Sequence, residues 1–111
     1  MTEEEAEKIL EAIAIDGHVN PGQWKNGPYI SFFGNKDILE PVCQVLRHVR
    51  GESPSRAYSA SPAVKEVYDQ YIATVQGHQA FLWAKRLFPH LSLENNRKLK
   101  ILIDTWKSRY E

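Results

Sequence analysis

The chain has 111 residues, 42% hydrophobic, 25% charged and 11% aromatic, with 14 basic and 14 acidic side chains balancing to zero. That supports one globular domain with a real core and excludes a disordered or fibrous chain. Zero net charge argues against generic nucleic-acid affinity.

No apolar run approaches the roughly 20 residues of a membrane span, and the acidic start is unlike a signal peptide. Cys43 is the single cysteine, so no intrachain disulfide can form and an intracellular setting is expected. The charge is unevenly placed. Glu3, Glu4, Glu5, Glu7, Glu11 and Asp16 face only Lys8 in the first 16 residues, which leaves 13 bases and 8 acids in the rest.

Thr2 followed by Glu5 reads as a capping box, and Glu3 and Glu4 suit the positive end of a helix dipole. The helix that follows has two apolar stripes. Ala6, Leu10, Ile13 and Ala14 form one; Ile9, Ala12 and Asp16 form the other, leaving Glu4, Lys8 and Glu11 as a narrow polar strip. Such a helix should pack on its own sheet and on something else besides.

From His18 to Gln23 the pattern turns extended. A turn near Lys25-Asn26-Gly27-Pro28 and a second run, Tyr29 to Phe33, complete a hairpin. Asp37 with Glu40 predicts a cap for a second helix that buries Ile38, Leu39, Val42, Leu46 and Val49, carries Pro41 near its first turn and stops at Gly51. Cys43 lies on its buried stripe and reads as core.

Residues 52–63 are rich in Ser and Pro and predict a loop plus a strand, Arg56 to Ser61. Val64 to Val75 predicts its partner strand, broken at Asp69-Gln70 and ended by Gly77. A third helix, His78 to Pro89, should bury Phe81, Leu82, Ala84, Leu87 and Phe88, and Ser92 should cap a fourth helix bearing Leu99, Leu102, Ile103 and Trp106. The order predicts an α+β domain of αββαββα type, with a four-stranded antiparallel sheet and its helices on one face.

Asp16-Gly17 is the candidate chemical centre. Locally it is a helix terminus with a glycine cap. Yet Asp16 continues an apolar stripe, and Ala12 and Ala14 keep the last turn slim. Two such tips packed about a dyad would set two carboxylates side by side, a donor set for hard divalent cations and for metal-assisted phosphodiester hydrolysis.

The stretch Ile9 to Gly17 followed by His18-Val19 resembles the LAGLIDADG motif of homing endonucleases. Tyr29 to Leu39 resembles that family's second strand and helix. Tyr71 to Gly77, then Leu87-Phe88-Pro89-His90-Leu91, resembles its fourth strand and a helix ending in a Leu-x-Pro-x-Leu turn, so the likeness spans nearly all of residues 1–111. It implies a saddle-shaped sheet on double-stranded DNA and a homodimer joined through Ile9, Ala12 and Ile13. It also implies Mg²⁺ or another divalent cation on Asp16 and the Ile15 carbonyl, and a gene carried by an intron, a phage or another mobile element.

Three departures stand out. Glu11 replaces a small glycine, Ala14 replaces a frequent acid, and Ser92-Leu93-Glu94 occupies a place where a basic residue is common. They leave room for a DNA-binding protein that does not cut, and the apolar helix alone would also serve a protein-interaction domain.

The hairpins supply the candidate DNA contacts: Asn20, Gln23, Trp24, Lys25 and Asn26 on the first, Arg56, Tyr58, Ser59, Ser61, Lys65 and Gln70 on the second. Gln and Asn can read adenine, Arg and Lys guanine, and Ser and Tyr hold phosphate. The bland alternative is two solvated polar hairpins; six bases against three acids in residues 17–65 tilt toward DNA. His18, His48, His78 and His90 lack zinc spacing, and only His18, beside Asp16, is placed to touch phosphate. Trp83 and Trp106 read as packing residues.

Overall fold

The computed structural model describes residues 1–22, 27–52 and 70–110. Its elements are α1 (Glu3–Ile13) with a 3-10 turn (Ala14–Asp16), β1 (His18–Asn20), β2 (Tyr29–Asn35), α2 (Lys36–Val45), β3 (Arg50–Glu52), β4 (Gln70–Gln76), α3 (Gly77–Leu87) and α4 (Leu93–Tyr110). The strands form one antiparallel sheet in the order β1-β2-β4-β3. The domain is α+β, as expected.

Helix α1 begins where its cap predicts. The Thr2 hydroxyl oxygen accepts the Glu5 N–H at 3.2 Å, and its proton turns to the Glu5 carboxylate at 3.3 Å. Ala6, Leu10 and Ala14 are buried on one stripe. The sheet alternates as its pleat demands. Val19, Ile30 and Val75 form one cross-strand row and Phe32 with Ala73 the next, all buried. All four helices add side chains to this single cluster. Phe32 meets Trp83 of α3 edge to face at 5.5 Å, and burying such a ring contributes about 1.5–3 kcal/mol.

Several boundaries differ from expectation. β1 stops at Asn20, not Gln23: Pro21 has no N–H to offer, and the Asn20 side-chain oxygen accepts the Gly22 N–H at 2.9 Å, closing a turn on a glycine at φ +76°. Helix α2 is capped at Asn35, without a side-chain bond, rather than at Asp37, and it ends at Val45. Pro41 sits in its second turn, where the missing N–H frees a carbonyl. Leu46 and Val49 are buried, but beyond the helix, while Ile38 is exposed. Gly51 is no helix stop; it lies in β3, paired opposite Ala73.

The strand expected over Arg56 to Ser61 lies outside the described residues. β4 begins at Gln70, and α3 ends at Leu87, before Pro89. Gly77 opens α3 at φ +58°, a conformation that suits glycine. On α3 the buried face is Ala80, Phe81, Trp83, Ala84 and Leu87; Leu82 and Phe88, expected to be buried, are exposed. Ser92 caps α4 as expected, its hydroxyl accepting the Asn95 N–H at 3.2 Å.

Candidate functional site

The corner between α1 and β1 is built by close approach. Gly17 has φ −77°, an ordinary value, so no left-handed cap explains it. A methyl group there would lie 2.6 Å from the Ser31 carbonyl oxygen and 3.0 Å from that of Ala14. The glycine lets the helix end rest directly on the backbone of β2. Its own carbonyl accepts the Asn95 side-chain amide at 3.2 Å, which ties the start of α4 to the same corner.

Asp16 is exposed at this tip, and its carboxylate has no hydrogen-bond or ion-pair partner among the described residues. Both oxygens are free to take a ligand. No three His, Cys, Asp or Glu side chains converge among the described residues.

The flank of α1 beside Asp16 is mixed. Ala12 is exposed and Ile15 is 59% exposed, whereas Ile9 and Ile13 are half-buried and pack against the core of their own chain. Glu11 does not share that flank's free surface. It pairs with Arg86 of α3, whose guanidinium also binds Glu7 at 2.7 Å. The Glu7 bond, opposed by burial and assisted by Glu11, holds the Arg86 guanidinium above its usual range. Glu11 is therefore engaged within the chain.

Opposite the core, the sheet presents a second set of rows. His18, Ser31, Thr74 and Arg50 face one another across all four strands, and Asn20, Tyr29 and Gln76 form the next row. Ser31 and Thr74 are buried with their hydroxyls 3.4 Å apart, and the His18 ring lies 5.8 Å from that of Tyr29. Phe33 and Ile72 continue the face toward the far edge.

Of the expected DNA contacts, Asn20 sits on this face, with its oxygen committed to the Gly22 turn. Gln70 begins β4 opposite Asn35. Gln23, Trp24, Lys25, Asn26, Arg56, Tyr58, Ser59, Ser61 and Lys65 lie outside the described residues.

Sequence patterning missed Arg50 and Asn95. Arg50 was assigned to the tail of a longer α2, and only its pairing with Thr74 reveals the row. Asn95 carried a signal of sorts, since a short polar side chain three residues after a capping serine stands at the helix mouth.

The Leu-x-Pro-x-Leu turn is held by Asn96. Its amide donates to the Pro89 and Leu91 carbonyls at 2.8 and 2.9 Å, and its oxygen accepts the Leu91 N–H at 3.0 Å. Lys98, two residues after Asn96, pairs with Glu94 at 3.5 Å.

Trp106 stacks on Phe81 and Trp83 is core, as expected. Cys43 is only half-buried, and burial pushes its thiol pKa up. Among the described residues no helix is long and apolar enough to cross a membrane. No protein-family model, no curated protein and no solved structure matches the chain.

Proposed function

We propose that the chain is a homing-endonuclease-like protein that binds double-stranded DNA as a homodimer and hydrolyses phosphodiester bonds, on a saddle-type LAGLIDADG-like domain. The observation that carries this reading is the place of Asp16. It is an unpartnered, exposed carboxylate two residues before His18, where the polar cross-strand row begins, and it adjoins the exposed side chains of Ala12 in α1 and Ile15 in the 3-10 turn. A second copy docked on that flank would bring two such carboxylates together at the end of two sheets.

Asp16 from each protomer, with the Ile15 carbonyl, would hold Mg²⁺ or another divalent cation; bound there, it supplies an acidified water and neutralises phosphate charge. The protein's own part is to bind and orient. His18 would offer a donor to the phosphate backbone, while Asn20, through its side-chain N–H groups, and the contacts expected from the sequence, Gln23, Lys25, Asn26, Arg56 and Lys65, would read base edges.

A second reading, sequence-specific binding without cleavage, is favoured by the edge of the corner. A neutral Asn95 amide reaches it, and the nearby Lys98 pairs with Glu94 instead.

Supercoiled DNA carrying the gene's native flanking sequence, incubated with Mg²⁺, separates the two. Nicking or cutting that vanishes in Asp16→Asn supports the enzyme; retardation without cutting supports the binder. Absence of DNA affinity at low salt would sink both, since phosphate contacts are strongest there.

A further inference from the structure

Two exposed apolar side chains stand apart from the Asp16 corner. Phe88, just past α3, is 37% exposed, and Leu93, the first residue of α4, is 91% exposed. With Pro89 they border an open groove of about 760 Å³. Single exposed apolar residues are ordinary on a protein surface; these three share one concavity.

Two cations stand against one carboxylate on the rim. Arg97 and Lys100 stand four and seven residues after Leu93, on the same stripe of α4, and both line the groove. Neither has an ion-pair partner among the described residues, whereas the one carboxylate on the wall, Glu94, is drawn to Lys98. The support beneath is preformed. Asn96 binds the Pro89–Leu91 turn three times, and Ser92 caps the helix that carries the cations. The backbone beneath the groove is thus ordered before any ligand arrives.

We propose that this groove docks an acidic amphipathic segment of a partner protein. Its apolar side chains would rest on Phe88, Pro89 and Leu93, and its carboxylates on Arg97 and Lys100. Charge complementarity sets the sign of the partner, and the apolar floor sets its class. A nucleic-acid backbone would satisfy the two cations and leave the floor unfilled, whereas an amphipathic helix matches both. The proposal stands independently of any role for Asp16.

The test uses the full chain, isotopically labelled for amide NMR. It is titrated with a synthetic helical peptide carrying leucines at i, i+3, i+4 and i+7 between glutamates, and with its twin carrying lysines instead. The acidic peptide is expected to saturate and to shift the amides of Phe88, Leu93, Arg97 and Lys100.

Its affinity should fall about tenfold for the lysine twin and for Arg97→Glu with Lys100→Glu, the effect of replacing two rim attractions by repulsions. Leu93→Asp should weaken it similarly. These side chains are exposed, so each variant should keep the parent's circular dichroism and melting temperature.

Equal affinity for the two peptides, shifts mapped elsewhere, or no binding up to about millimolar peptide, where specific affinity is lost, would each overturn the proposal. So would displacement of the acidic peptide by duplex DNA at these same amides. Self-association of the chain through these amides, without peptide, would assign the groove to a second copy and likewise overturn it.

Discussion

Replacing Gly17 by alanine tests the corner most directly, because two effects of opposite sign compete there. At φ −77° alanine is conformationally welcome. On that ground alone Gly17→Ala would stabilise the protein by about 0.4–1 kcal/mol, through a less flexible unfolded chain. The space says otherwise. The new methyl would lie 2.6 Å from the Ser31 carbonyl oxygen and 3.0 Å from that of Ala14, both backbone atoms held in β2 and the 3-10 turn.

Neither can yield without moving the helix end away from the sheet. Overpacking of this kind costs about 1–3 kcal/mol, and a domain of this size loses about 4–8 °C of melting temperature per kcal/mol. At mid-range, about 2 kcal/mol of overpacking less about 0.7 kcal/mol of chain-entropy gain leaves about 1.3 kcal/mol, so Gly17→Ala should melt about 5–10 °C below the parent when unfolding is followed by circular dichroism. Gly27→Ala is the control, since nothing lies within 4 Å of a methyl group there; it should be neutral or slightly stabilising. A Gly17→Ala protein as stable as the parent would refute the close-approach account and return Gly17 to an ordinary turn residue.

Other outcomes follow from the same packing. Phe32 is fully buried against Trp83, so Phe32→Ala should cost about 3–5 kcal/mol by urea denaturation; a loss under 1 kcal/mol would contradict its central place. Asn96→Ala removes three hydrogen bonds from the Pro89–Leu91 turn and should destabilise by about 1–3 kcal/mol, with the amide of Leu91 exchanging faster.

Burial raises the Cys43 pKa, so at pH 8 its thiolate fraction, and its rate with a disulfide reagent, should lie below those of the urea-unfolded chain. The sign for stability is the same. The unfolded chain loses its thiol proton first as pH climbs past about 8.5, so that contribution declines from there upward. A folded thiol that reacts as fast as the unfolded one would remove the argument.

Local chemistry alone placed much of the fold. Thr2 and Ser92 mark helix starts because their hydroxyls satisfy N–H groups within three residues, and both bonds form. The alternation in Tyr29 to Phe33 and the order of helices and strands come from side-chain periodicity, which needs no distant partner. Asp16 could be singled out in the same way, as an acid at the tip of a helix, and it is exposed there.

Other features depend on what meets across long separations. Whether the chain after Val45 stays helical or pairs with β4 is decided by a strand some 20 residues further on, so β3 and Arg50 were misplaced. Helical spacing offers both Leu82 and Trp83 to the core, and only the packing against Phe32 chooses the tryptophan. Glu11 read as a surface acid until Arg86, 75 residues away in sequence, was seen to hold it.

Gly17 is the sharpest case. The sequence determines that a glycine follows an acid at a helix end. Only the tertiary structure shows why: the Ser31 carbonyl of the neighbouring strand occupies the space that any side chain would need.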